Sequence, residues 1–190
     1  MAKSAENRIE PKEILRIGGV LCIICAVIAL ILSFVNKVTL EKIAQNEEME
    51  KRSAMVALFA SDSIEYSAME GAPETVDEIY KVSEGKNSLG YCISVSPAGF
   101  GGDLNMMVGI DSAGAVLGVR VVSHSETPGL GNRVENDSFL SQFVGKSGLI
   151  DSSKDIDIIS GSTVSSKAVT EGVNAATAAL AEILTGGAAN

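Results

Sequence analysis

The sequence predicts an α+β domain, an antiparallel sheet with flanking helices, preceded by a single N-terminal membrane-spanning helix. Three observations carry this expectation. An uncharged apolar run fills residues 17–36, strand-like segments joined by short turns follow one another without regular βαβ alternation, and an alanine-rich segment with helical spacing lies near the C-terminus. Of 190 residues, 46% are hydrophobic, and much of that excess sits in the first run, so the remainder is enough for one compact domain with its own core.

Residues 1–16 are a short N-terminal segment, expected in the cytoplasm. The run IGGVLCIICAVIALILSFVN then covers 17–36, and 20 residues of helix rise about 30 Å, the thickness of a hydrocarbon core. A cleaved signal peptide would have a shorter apolar region ending in small residues, which Ser33-Phe34-Val35-Asn36-Lys37 does not supply. Lys3, Arg8, Lys12 and Arg16 precede the run, whereas Lys37 and Lys42 follow it. The excess of basic residues on the first side predicts a single pass through the cell membrane, N-terminus cytoplasmic and C-terminal domain extracytoplasmic. Cys22 and Cys25 stand three apart inside the run, with no His or carboxylate nearby to complete a metal site, so they read as packing residues. Cys92 is isolated in the domain, so no disulfide framework is expected, and no metal site.

From Thr39 to Ala60 the composition is rich in Glu, Lys, Ala and Met with no Gly or Pro, which predicts that the membrane helix continues outward into a helical stalk, residues 37–70. Gly71-Ala72-Pro73 breaks it and opens the domain, residues 71–190. Val76 to Val82 and Leu89 to Val95 have strand composition around the turn-like Glu84-Gly85-Lys86-Asn87. Leu104, Met106, Val108 and Ile110 alternate with Asn105, Met107 and Gly109, and Asp111-Ser112-Ala113-Gly114 leads into another β-branched run, Ala115 to Val122. A last helix is expected from Val164 to Leu184, stopped by Thr185-Gly186-Gly187. The net charge is −9, and from Lys37 onward acidic residues outnumber basic ones 21 to 11, which excludes a nucleic-acid partner.

Three segments carry candidate chemistry. Gly99-Phe100-Gly101-Gly102 lacks the following helix that a dinucleotide phosphate loop requires, and reads as a tight turn or bulge whose glycines leave room for a flat ring. Ser160-Gly161-Ser162-Thr163 stands at the start of the last helix. Its hydroxyls can simply cap that helix. Free amides, the helix dipole, close approach at Gly161 and the charge of Lys167 one turn on would also suit a phosphate group. His124-Ser125-Glu126-Thr127-Pro128-Gly129-Leu130-Gly131 follows the strongest predicted strand, with Pro128-Gly129 suited to a type II turn. His124 is the single histidine, and alone it defines no site.

Ser160-Gly161-Ser162-Thr163 resembles the Ser-Gly-Ala-Thr flavinylation motif of FMN-binding domains, and Glu126-Thr127-Pro128-Gly129-Leu130-Gly131 resembles the signature upstream of it. Further similarity runs through residues 99–102, 107–111 and 139–143. With its single N-terminal span and short domain, the chain is similar to the G subunits of Rnf electron-transport complexes. The related C subunit of the sodium-pumping NADH:quinone reductase is typically longer.

The resemblance implies an extracytoplasmic FMN-binding domain with FMN held covalently on Thr163 through a phosphoester bond. Ser160, Gly161, Ser162 and Lys167 then lie at the phosphate, and Glu126, Thr127, Leu130, Gly131 and His124 beside the flavin. Ser162 replaces the family's usual alanine, a small change that brings a second hydroxyl able to be modified or to hydrogen-bond. The implied role is an electron relay within an ion-translocating ferredoxin:NAD oxidoreductase, alongside the other subunits of that complex and an FMN transferase that loads the flavin. No residue is assigned as catalytic acid, base or nucleophile, and no stand-alone turnover is expected. Two other readings stay open at this point: the quinone-reductase C subunit, and a non-redox extracytoplasmic module in which Thr163 only caps a helix. A hydrolase using His124 lacks a G-x-S-x-G elbow and an orienting partner.

Overall fold

The computed structural model describes residues 11–186; Lys3, Arg8 and Gly187 lie outside the described residues. The chain divides into two units, Met1–Glu48 and Met49–Asn190. A single helix, α1 (Pro11–Phe59), accounts for the described part of the first unit and contributes its last turns to the second. In the first unit Leu15–Leu40 is long and apolar enough to cross a membrane, 26 residues with a mean hydropathy of 2.9. Those side chains are exposed, so they form no part of a protein core.

The second unit is built on a five-stranded sheet whose spatial order repeats the chain order: β1 (Glu65–Ala68), β2 (Glu78–Glu84), β3 (Asn87–Val95), β4 (Leu104–Ile110) and β5 (Val116–His124). All pairs are antiparallel. The β2–β3 connection is the two residues Gly85 and Lys86, with Gly85 at φ 59°, a left-handed conformation that glycine adopts without steric cost. In the β4–β5 turn Asp111 Oδ1 accepts the amides of Ala113 and Ala115 at 2.8 and 2.9 Å, a local bond that fixes the reversal. After β5 come a 3₁₀ turn (Gly131–Glu135), the single-turn helix α2 (Asp137–Leu140), a second 3₁₀ turn (Ser141–Phe143) and the long helix α3 (Thr163–Gly186).

Period-2 alternation along β4 sends Leu104, Met106, Val108 and Ile110 to one face, where they meet Ile79, Ile93 and Val95 of the neighbouring strands. Helix α3 covers this face with Ala168, Val169, Val173, Ala176, Ala179 and Leu180, the i, i+4, i+7 stripe that the sequence shows. Its approach is close at Gly172, where a Cβ would come within 2.7 Å of Met106 Cε. Phe139 and Phe143, edge to face with centroids 5.6 Å apart, close one end of the cluster.

The opposite face is covered as well. Met55 is fully buried against Ile64, Tyr80, Val82, Cys92 and Met107, so the last turns of α1 pack on the sheet. Leu58 sits over Gly109 and Gly118, which are cross-strand partners; a Cβ at Gly118 would come within 2.9 Å of Leu58 Cδ2. Two facing glycines thus make a notch for one leucine. Lys51 Nζ bonds Glu78 Oε2 at 2.6 Å, and the Tyr80 hydroxyl donates to the same oxygen. The hydrogen bond to Glu78 holds Lys51 above its ordinary value and, reciprocally, Glu78 below its own. Burial pushes Tyr80 up to about 12 and the Cys92 thiol to about 12.

The four long strands and α3 fall where the sequence predicts them, to within a few residues. Helix α1 ends at Phe59, within a residue of the Ala60 at which the helical composition ends and where the backbone turns left-handed at φ 50°; residues 65–68, within the expected 37–70 stalk, instead pair with β2 as the edge strand. No Gly or Pro lies between α1 and that strand, so nothing local separates it from the stalk.

Candidate functional site

The loop after β5, the start of α3 and the loop before β4 meet around a cleft of about 300 Å³ lined by Phe100, Glu126, Thr127, Leu130, Gly131 and residues 161–165. A larger hollow of about 470 Å³ lies between the β4–β5 turn and the C-terminal half of α3, and it holds none of the predicted site residues.

The turn at Thr127–Leu130 is the type II turn the sequence calls for: Leu130 N–H donates to Thr127 O at 3.2 Å, and Gly129 takes φ 80° at the position that needs it. Asn132 Oδ1 accepts the Gly129 amide at 2.8 Å and steadies the turn. Glu126, just before it, is buried. Its Oε1 accepts the Phe100 amide at 2.8 Å, while its Oε2 is buried with no hydrogen-bond partner among the described residues. The carboxylate fills space that two glycines leave open: a Cβ at Gly99 would collide with Oε1, and one at Gly131 with Oε2.

At the other wall α3 begins with Thr163. Gly161, at φ 84°, makes the bend that leads into it. Ser162 is buried, and its hydroxyl donates to Leu130 O at 2.6 Å, tying the helix start to the turn. It is therefore not spent on capping. Ser166 Oγ, one turn on, accepts the Ile159 amide at 3.3 Å. Thr163 is exposed, and its hydroxyl makes no hydrogen bond to a described residue. The first amides of a helix of this length present partial positive charge to whatever occupies the cleft.

Of the predicted residues, Glu126, Thr127, Leu130, Gly131, Gly161, Ser162 and Thr163 line one cleft although they come from two segments about 30 residues apart. His124, Ser160 and Lys167 do not line it. His124 Nδ1 accepts the Glu126 amide at 3.2 Å and its Nε2 lies 3.3 Å from Glu135 Oε2, so the histidine shapes the approach to the turn. The Ser160 carbonyl accepts from Arg133 at 3.4 Å, and Lys167 is exposed one turn along α3. Phe100, Val164 and Ser165 line the cleft without having been singled out as site residues. For Phe100 the signal was its place between glycines.

The residues fit a flavin mononucleotide. The helix start suits the phosphate, the exposed side chains of Phe100, Leu130 and Val164 give an apolar rim for a flat ring, and an orphaned carboxylate oxygen lies behind the turn.

Comparison with known proteins bears on the same region. Residues 99–178 match the model of the FMN-binding domain family. The chain is similar to the G subunit of the Na(+)-translocating ferredoxin:NAD(+) oxidoreductase complex of Acetobacterium woodii, 32% identical with 92% of this chain and 95% of the relative aligned. It is also similar to the G subunit of the proton-translocating ferredoxin:NAD(+) oxidoreductase complex of Clostridium ljungdahlii, 29% identical over 82% of this chain and 85% of that one. Among solved structures, NqrC of Shewanella oneidensis superposes with a TM-score of 0.55 at 16% identity, over 68% of this chain and 91% of that one, which shows a shared fold.

Proposed function

The chain belongs to the family of G subunits of ion-translocating ferredoxin:NAD(+) oxidoreductase complexes, and from that premise we propose that it relays electrons through FMN joined to Thr163 by a phosphoester bond. An FMN-binding redox subunit within a multi-subunit complex is what the family and the domain match carry directly. The covalent link, its position and the loading by an FMN transferase are our own reading.

The observation that carries the position is the unequal state of the two adjacent hydroxyls. Ser162 is buried and its proton is committed to Leu130 O at 2.6 Å, whereas Thr163 is exposed, unengaged and first in α3. A phosphoryl group on Thr163 Oγ sits beside the open amides of the helix start, where the dipole favours negative charge. FMN, when bound, supplies the electron chemistry. The chain's residues then have three tasks: Thr163 holds the phosphate, Ser162 joins the two walls, and the turn at 127–130 with Phe100 and Val164 bounds the ring. An ester also keeps the cofactor at high local concentration where a dissociated flavin would be lost. That argument has most force outside the cytoplasm, the side on which the excess of Lys3, Arg8, Lys12 and Arg16 before the apolar span over Lys37 and Lys42 after it is read to place the domain.

The test is the denatured mass of the chain co-expressed with an FMN transferase, with the adduct mapped by peptide fragmentation. The expected result is one FMN on Thr163, absent from Thr163→Ala. Unmodified wild type from a transferase that modifies another acceptor in the same cells overturns the reading. The sidedness is checked separately by a C-terminal reporter active only outside the cytoplasm.

A further inference from the structure

Phe100 is 74% exposed at the mouth of the cleft, and its backbone is not free to tuck the ring away. Its N–H donates to the buried Glu126 Oε1 at 2.8 Å. On either side, a Cβ at Gly99 would collide with that same oxygen and a Cβ at Gly101 with the Ser125 carbonyl oxygen. The flanking residues are thus pressed against the end of β5 and the turn that follows it, and the residue between them presents its side chain to the cleft. A phenylalanine left in water forgoes the stabilisation that burying it would bring. Leu130 and Val164 share the rim at 51% and 50% exposure. An apolar rim held open by a buried carboxylate is a surface shaped for something flat that covers it.

We propose that Phe100 packs against the flat ring of the cofactor in this cleft and that Glu126 is the positioning residue that holds it there through the Phe100 amide. The inference rests on the FMN reading above and adds to it the ring's contact and that contact's support. The domain match to the FMN-binding family begins at Gly99 and so takes in Phe100. Glu126 suits the supporting role because its carboxylate spans from Gly99 to Gly131, the two glycines that any added Cβ would drive into it.

The chain contains no tryptophan, so Phe100→Trp places a single indole at the rim. An indole in van der Waals contact with a photoexcited flavin gives it an electron and takes it back, and the emission is lost. Full-length chain carrying FMN is compared as Phe100→Trp and as Leu149→Trp, the latter at a position 88% exposed and outside the cleft. Most of the flavin emission and lifetime should be lost in the first variant and kept in the second. Adding Glu126→Ala to Phe100→Trp should restore part of the emission and weaken the flavin's visible circular dichroism. Glu126→Gln, which keeps an oxygen to accept the Phe100 amide, should do neither. Equal emission from the two tryptophan variants, with FMN attached to both, overturns the contact; equal effects of Glu126→Ala and Glu126→Gln overturn the positioning role. Wild type that takes up no FMN counts instead against the reading on which the inference rests.

Discussion

The face of the sheet under α3 and the face under the end of α1 are assembled from different materials. The first is covered by a 24-residue helix, and its buried side chains are aliphatic, alanine or phenylalanine, with the single methionine Met106. The second is covered by a few turns of α1 and mixes Met55, Val82 and Met107 with the ionisable Tyr80 and Cys92. Apolar burial stabilises the first at any pH, while the second also depends on keeping two weak acids neutral. The cleft opens beside the first face, at the start of the helix that covers it.

The largest effect expected from this contrast is a difference between two truncations. Phe143→Ala should cost about 3–5 kcal/mol and Met55→Ala about 2–3 kcal/mol, since Phe143 closes the larger cluster while Met55 lies near a helix end. Urea unfolding of the detergent-solubilised chain measures both, and equal costs would remove the asymmetry. Next in size is an alkaline response. The folded values of Tyr80 and Cys92 lie above their unfolded ones, so the stability they lend is complete below the unfolded thiol's value and is lost as pH rises through about 12. Hydrogen exchange under alkaline unfolding should therefore open β1 and β2 ahead of α3, and simultaneous opening would break the comparison. The smallest effect belongs to the Lys51–Glu78–Tyr80 lock, where Glu78 is half exposed. Glu78→Gln should cost less than about 1 kcal/mol near neutral pH. Because Glu78 is depressed in the folded chain, that contribution is present above the ordinary carboxylate range and lost as pH falls through its folded value. A cost that persists in acid would mean the glutamate acts through shape and not charge.

Sequence made the first face legible and the second obscure, for a physical reason. Leu104, Met106, Val108 and Ile110 alternate and α3 repeats with a helical period, so each announces its own buried side. Met107, Gly109 and Gly118 share the other side of the sheet, and nothing local to β4 or β5 tells that Leu58, about 50 residues earlier, covers them. The edge strand at 65–68 was equally silent, because no Gly or Pro separates it from the end of α1. At the cleft, the turn at Pro128-Gly129 and the helix start at Thr163 follow from residue type. What residue type did not convey is direction: Glu126 points in, Phe100 stands out, and Ser162 spends its hydroxyl on Leu130 instead of capping α3.

A sheet whose strands lie side by side in the order of synthesis forms from nearest neighbours, hairpin by hairpin, and needs no long loop closed before its contacts are rewarded. Its apolar cover comes last. Until α3 has been synthesised, Ile93, Met106, Val108 and Ile110 have no partner from that helix and face water on a growing sheet. The moment of greatest exposure to aggregation is therefore late in translation, and the same 24 residues that end it also bring Thr163, the proposed acceptor, into place, so its hydroxyl reaches the cleft only once the domain has closed over its core.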